Sequence, residues 1–121
     1  MTELTANTCK TLLYGLEPPL AAALTEALKG CNCSALCVDL DAERQRGDIV
    51  FCSPRPDVLR QVLSLYLNVP VVVVSRLPEM EDWLNALEAG AADYLAAPFE
   101  TIQLRWLLNS HACFKTAMAA A

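Results

Sequence analysis

The chain has a single histidine, four glycines and no apolar run approaching the roughly 20 residues that span a bilayer. Apolar runs such as residues 69–74 predict core rather than membrane, and the opening MTELTAN lacks the basic-then-apolar order of a secretion signal. Basic residues are scarce as well. Nine Lys and Arg against fourteen Asp and Glu leave a formal charge of −5, with no positive surface to neutralise a phosphate backbone, so direct nucleic-acid binding is not expected. Because His111 stands alone and on a distant helix, neither Cys52 nor Ser53 has an evident general base, and an enzyme working through either nucleophile is not expected. A low-complexity linker, a charge block and an internal repeat are also missing. What remains is apolar: 55% hydrophobic against 19% charged residues predicts one well-packed cytoplasmic domain over residues 1–121. Its ordered core should run over about 9–114, with the Ala-rich tail frayed.

Six cysteines invite a disulfide framework, but that logic belongs to small secreted chains too poor in apolar residues to build a core. Reduced thiols are expected instead. Cys31, Cys33 and Cys37 lack the paired CxxC spacing of a zinc ribbon, so no metal is expected there. On a strand, Cys33 and Cys37 share a face with Ala35 and should fill core volume.

Short β-rich runs alternate with longer helical patterns, the mark of a parallel α/β sheet. Residues 11–14 read as a first strand and 18–29 as a helix with Pro18 and Pro19 in its first turn and Gly30 as a left-handed stop. Residues 33–38 read as a second strand. About ten residues then lead to the run 48–53, too few for an ordinary crossover helix, so the second helix should be short or missing. Residues 56–67 carry Val58, Leu59, Val62, Leu63 and Tyr66 at helical spacing, and 71–75 form a uniformly β-branched strand of the kind covered on both faces. A helix over 78–89 ends at Gly90. Residues 93–96 are a last strand, and 99 to about 113 the last helix.

From 70 to 99 the pattern is specific: PVVVVS, then a helix ending ALEAGAADYLAAPF. This stretch resembles the second half of a response-regulator receiver domain, and the likeness is weaker over 11–29 and 48–53. It implies a flavodoxin-like (βα)5 three-layer sandwich with a parallel sheet in order 2-1-3-4-5 and its site at the carboxyl ends of the strands. A working receiver carries an acceptor aspartate after the third strand, an acidic pair after the first that helps hold Mg2+, a hydroxyl residue after the fourth and a lysine after the fifth.

On this alignment the acceptor position is Ser53, the acidic pair falls on Gly15 and Leu16 with the flanking Glu17 retained, and the lysine position is Ala97. The hydroxyl survives as Ser75, and Tyr94 matches the family's aromatic switch. A serine hydroxyl without a neighbouring base cannot replace the aspartate, and Glu17 with water is too little to keep a divalent cation, so a pseudo-receiver with no cofactor and no phosphoryl transfer is expected. Asp48 opens the third strand, about 15 Å from the pocket end at 3.3 Å per residue, and is read as solubilising. Asp39 and Asp41 follow the second strand without a spacing that requires a site role. Arg76, where receivers keep a small residue, is expected to pair with a nearby Glu. The resemblance also implies a cis bond between Ala97 and Pro98.

The last helix has two apolar stripes. Leu104, Leu107, Leu108 and His111 form the core stripe, while Ile102, Trp106 and Cys113, together with Trp83 on the preceding helix, add apolar surface to the face receivers use for dimerisation. The other reading is that both tryptophans finish the core. The expected function is therefore a phosphorylation-independent receiver-like domain in bacterial two-component or transcription control, acting through a protein partner or as a homodimer through its last two helices and last strand. The alternative keeps the fold and makes the vacant pocket a small-molecule sensor for a flavin, quinone or anion. Against it, Gly15-Leu-Glu-Pro-Pro19 is no glycine-rich phosphate loop.

Overall fold

The computed structural model describes residues 9–76 and 80–111, with the backbone only over 80–83. Five strands, β1 (Cys9–Tyr14), β2 (Cys33–Val38), β3 (Ile49–Cys52), β4 (Val71–Ser75) and β5 (Asp93–Ala96), form one parallel sheet in the order β2-β1-β3-β4-β5. Among the described residues four helices, α1 (Pro18–Gly30), α2 (Pro56–Leu65), α3 (Met80–Ala89) and α4 (Thr101–His111), complete three layers. This is the flavodoxin-like order expected from the sequence, with β2, β4 and β5 at the expected limits and the limits of β1, α1, β3 and α2 and the start of α4 differing by one or two residues; the expected start of α3 at 78 and end of α4 at 113 lie outside the described residues.

The alternation of side chains along each strand divides the interior in two. Leu13, Phe51, Val72, Val74 and Leu95 face α1 and α4, where they meet Leu20, Leu24, Leu28, Leu104, Leu107 and Leu108. Leu12, Tyr14, Val50, Cys52, Val71 and Val73 face α2 and α3 and meet Val58, Leu59, Val62 and Ala86. Strand β4 is buried at Val71, Val72, Val73 and Val74 because both its faces are covered, which is why it reads as a continuous apolar run.

Helix α3 stops at Gly90, whose φ of 117° allows the N–H groups of Gly90 and Ala91 to reach the carbonyls of Leu87 and Ala86 at 3.1 and 3.0 Å. The end of α1 differs from expectation. Gly30 remains helical, and Asn32, at φ 62°, takes the left-handed position just before β2.

No helix joins β2 to β3. The chain turns at residues 39–42, with the Ala42 N–H on the Asp39 carbonyl at 3.0 Å, and returns as an irregular strap over residues 43–48. Two anchors hold it. At the far end the Asp48 N–H donates to the Lys10 carbonyl at 2.8 Å while the Asp48 carboxylate accepts the Lys10 N–H at 2.9 Å, so Asp48 ties the strap to β1 rather than only solubilising a strand start. A Cβ on Gly47 would lie 2.7 Å from Leu12 Cγ, so glycine is what permits this close approach. In the middle, the Tyr66 hydroxyl accepts the Gln45 N–H at 3.2 Å and donates to the Gln45 carbonyl at 2.9 Å, with the Arg44 guanidinium 5.0 Å from the Tyr66 ring centroid.

The cysteines depart from the all-thiol expectation. Cys9 is disulfide-bonded, whereas Cys31, Cys33, Cys37 and Cys52 are free. Cys33 and Cys52 are core residues, but Cys37 is exposed, because β2 is the outermost strand and α1 leaves an open groove beside it, lined by Leu16, Pro18, Ala21 and Cys37. No described helix is long and apolar enough to cross a membrane.

Candidate functional site

The carboxyl ends of β1, β3 and β4 meet the start of α1 around a cleft of about 420 Å³ lined by Gly15, Leu16, Glu17, Ser53, Ser75 and Arg76, among others. Each wall follows from its local sequence. Gly15 has φ 69°, and a Cβ there would lie 3.1 Å from Val58 Cγ1, so the turn out of β1 favours a residue without a side chain. Leu16 turns inward against the apolar layer under α1. Glu17 precedes two prolines at the start of α1, and its side chain makes no cap hydrogen bond. Instead it reaches Arg76, Oε2 to Nη2 at 3.0 Å, closing a salt bridge between the β1 and β4 sides of the cleft.

Ser53 is buried, with its N–H on the Tyr14 carbonyl at 3.2 Å and its Oγ accepting the Arg55 N–H at 3.2 Å. Its hydroxyl thus starts α2 as a local turn. Arg55 also lines the cleft, with its guanidinium held by Asp57 at 3.1 Å.

Solved structures share this architecture. A receiver domain of a sensor histidine kinase from Pseudomonas aeruginosa, crystallised with magnesium coordinated in its active-site cleft, is 25% identical with a TM-score of 0.70, over 86% of this chain and 97% of that one. A response regulator from Thermotoga maritima is 19% identical with a TM-score of 0.69, over 85% and 96%. This chain has the response-regulator receiver fold. NtrX from Brucella abortus, 16% identical with a TM-score of 0.74, matches over 93% of this chain and 29% of its own length. No protein-family model and no curated protein sequence matches.

Measured against that fold, the cleft brings together Gly15, Leu16, Glu17, Ser53 and Ser75, while Ala97 and Tyr94 stand outside its lining. Ala97 donates its N–H to the Ser75 carbonyl at 3.0 Å, packs against the layer under α1 and α4, and forms a cis bond to Pro98. Tyr94 is half-buried and packs on the opposite layer. Asp39 lines a smaller neighbouring cleft with Gly15 and Leu16, and Asp41 lines neither.

The donor set does not fit the divalent cation the receiver fold implies. Gly15 and Leu16 carry no side-chain oxygen, which leaves Glu17, paired with Arg76 at the exposed rim, as the one carboxylate of the three, and a hard cation requires several oxygen ligands. Among the described residues no group of three or more His, Cys, Asp or Glu could hold a metal ion.

The nucleophile reading fares no better geometrically. Cys52 has no exposed surface, and burial pushes its thiol up to about 12, so it is neither accessible nor ionised near neutrality. His111 lies with Nε2 3.0 Å from the Asp93 carboxylate, pinning the end of α4 to the start of β5.

On α4 the two stripes separate as drawn. Leu104, Leu107 and Leu108 are buried, whereas Ile102 is 84% and Trp106 68% exposed, so Trp106 does not finish the core. The side chain of Trp83, and Cys113 altogether, lie outside the described residues. Trp106→Ala should therefore change stability by less than about 0.5 kcal/mol. A thermal melt that falls by many degrees would place the indole in the core.

Sequence reasoning missed Tyr14 and Tyr66 as partners and treated them as ordinary core positions. The available signal was the ten-residue link between two parallel strands, which needs polar anchors when it has no helix to satisfy its backbone.

Proposed function

We propose that this receiver-fold domain is a non-enzymatic regulatory module of a two-component or transcription-control pathway, working by protein contact without phosphorylation. The supporting observation is the Glu17–Arg76 ion pair across a cleft whose acidic-pair positions are Gly15 and Leu16. Arg76 neutralises Glu17, the one carboxylate of that triplet, and the glycine at 15 sits in a backbone conformation that penalises any replacement. Ser53 offers a hydroxyl already accepting a backbone hydrogen bond, so no nucleophile stands ready for a phosphoryl group. The contact surface is the face of α3, β5 and α4, where Ile102 and Trp106 lie exposed one helical turn apart and Leu84 and Leu87 are exposed on α3.

Incubating the full chain with Mg2+ and acetyl phosphate, followed by intact mass, should leave it unmodified. A labile gain of one phosphoryl group overturns the reading. A second reading, a sensor of small anions, draws on Arg55 and Arg76 lining the cleft, although Asp57 and Glu17 already neutralise them. Reproducible stabilisation by one ligand in a thermal-shift series of phosphate, flavins and quinones would favour it.

A further inference from the structure

Of the six cysteines in the chain, Cys31, Cys33, Cys37 and Cys52 are free thiols and Cys9 is in a disulfide. The thiols beside Cys9 are engaged elsewhere. Cys33 stands directly opposite it in the β1–β2 register, yet the Cys33 Sγ donates to the Cys31 carbonyl at 3.6 Å and the Cys31 Sγ donates to the Thr101 carbonyl at 3.8 Å. Cys37 and Cys52 pair with Leu13 and Tyr14, at the other end of β1. One cysteine of the chain is left. It is Cys113, outside the described residues and two positions beyond the last residue of α4. Helix α4 and Cys9 already share a layer, because Leu104, Leu107 and Leu108 belong to the same buried cluster as Cys9.

We infer that Cys9 pairs with Cys113, and that this bond is a redox latch fastening the end of α4 to β1. The two residues are about a hundred positions apart, so the bond closes most of the chain into one loop and removes that freedom from the unfolded state. Once the bond opens, α4 keeps its leucine stripe and the His111 contact with Asp93, but loses its covalent tie. Ile102 and Trp106 are exposed on this helix, so the state of the bond sets how firmly they are held. The effect on α4 stands whether or not that face is a contact surface.

The reagent that works the latch is a low-molecular-weight thiol of the glutathione class. Cys9 is 1% exposed and is therefore the leaving sulfur. The incoming thiolate bonds to the Cys113 sulfur, the Cys9–Cys113 bond breaks, and Cys9 takes up a proton. A second thiol attacks the mixed disulfide, frees Cys113 as a thiol and carries away two electrons' worth of oxidation as the disulfide of the reagent. Closing the latch is the reverse, with that disulfide as oxidant. Cys33 does not intercept the bond, although it lies opposite. Burial and then Cys31 push its thiol up to about 11, so it stays protonated near neutral pH, and the thiolate is the attacking form. Such bonds persist among oxidised thiols and open in a reducing pool, so the latch follows its surroundings.

The test equilibrates the full chain in glutathione buffers stepped from oxidised to reduced, quenches with N-ethylmaleimide and maps the peptides. The Cys9 peptide should be linked to the Cys113 peptide at the oxidised end of the series and unlinked at the reduced end. Opening should lower the thermal melt by about 10 °C. Amides 104–111 should then exchange about tenfold faster. Cys113→Ser should show the reduced values in both buffers, whereas Cys33→Ser should keep the link and both shifts. A Cys9 that is unlinked in oxidised glutathione, or linked to Cys31, Cys33 or a second chain, overturns the pairing. A link that no glutathione buffer opens, or whose opening leaves the melt and the α4 amides unchanged, overturns the latch.

Discussion

Raising the pH above 9 is expected to unfold this protein far more steeply than its surface charge would suggest. Burial pushes the Cys52 thiol up to about 12, and burial followed by the neighbouring Cys31 pushes Cys33 up to about 11, from an ordinary value of 9.0. The Tyr14 hydroxyl is raised as well, by burial first and then by its hydrogen bond to Tyr66. Each group keeps its proton in the folded state and releases it on unfolding once the pH passes its ordinary value. The stability these protonated groups support is therefore complete below pH 9 and is lost as the pH climbs through 11 and 12.

Each thiol loses about 1.4 kcal/mol per pH unit over that window, so the two together remove about 5 kcal/mol by pH 11, as much as the whole stability of many small domains. Chemical denaturation at stepped pH should show a plateau from 6 to 8 and a falling limb above 9, which Cys52→Val makes shallower. A thiol reagent at pH 8 should label Cys37 quickly and Cys33 and Cys52 only on unfolding. Rapid labelling of Cys52 in the folded protein would contradict the burial on which the limb depends.

Tyr66→Phe is expected to cost about 3 kcal/mol, an effect large for the loss of one oxygen. The hydroxyl has one proton, which it gives to the Gln45 carbonyl, so the Tyr14 hydroxyl must donate to it. The two rings pack with centroids 5.7 Å apart, and Tyr14 is 1% exposed. Removing the oxygen leaves the Tyr14 hydroxyl and both backbone groups of Gln45 without their partner and frees the strap at its middle. At roughly 4 °C per kcal/mol for a domain of this size, the melt should fall by about 12 °C.

Tyr14→Phe removes one donor and leaves the strap anchored, so it should cost about 1 kcal/mol. The double variant should cost less than the sum of the two, since one hydrogen bond is counted twice. Amides 44–47 should lose protection from hydrogen exchange in Tyr66→Phe alone of the two single variants. Equal effects of the two on those amides would mean that the strap is held by something else.

Much of the layout was legible along the chain because strands and helices are written in local periodicities. The uniformly apolar β4, the glycine that ends α3 and the core stripe of Leu104, Leu107 and Leu108 each follow from neighbours within a few residues. The short link after β2 announced a missing helix by length alone. Misreadings arose where a non-local neighbour decided. Asn32 rather than Gly30 takes the left-handed turn, because α1 continues through Gly30 before the chain enters β2. Cys37 carries the alternation of a core residue, yet its strand lies at the edge of the sheet and its covering helix does not reach over it.

What the amino-acid order determined by itself was the alternation of elements and the residue types at the strand ends, including glycine at 15 and leucine at 16. The tertiary structure decided that Glu17 meets Arg76, that Gly15 turns with positive φ against Val58, that Tyr66 clasps Gln45 and that Trp106 points outward. The physical reason is range. Backbone geometry and side-chain periodicity act over a few residues and are visible in the chain, whereas ion pairs, anchors and exposure depend on distances that exist once the sheet has ordered its strands and the helices have packed on it.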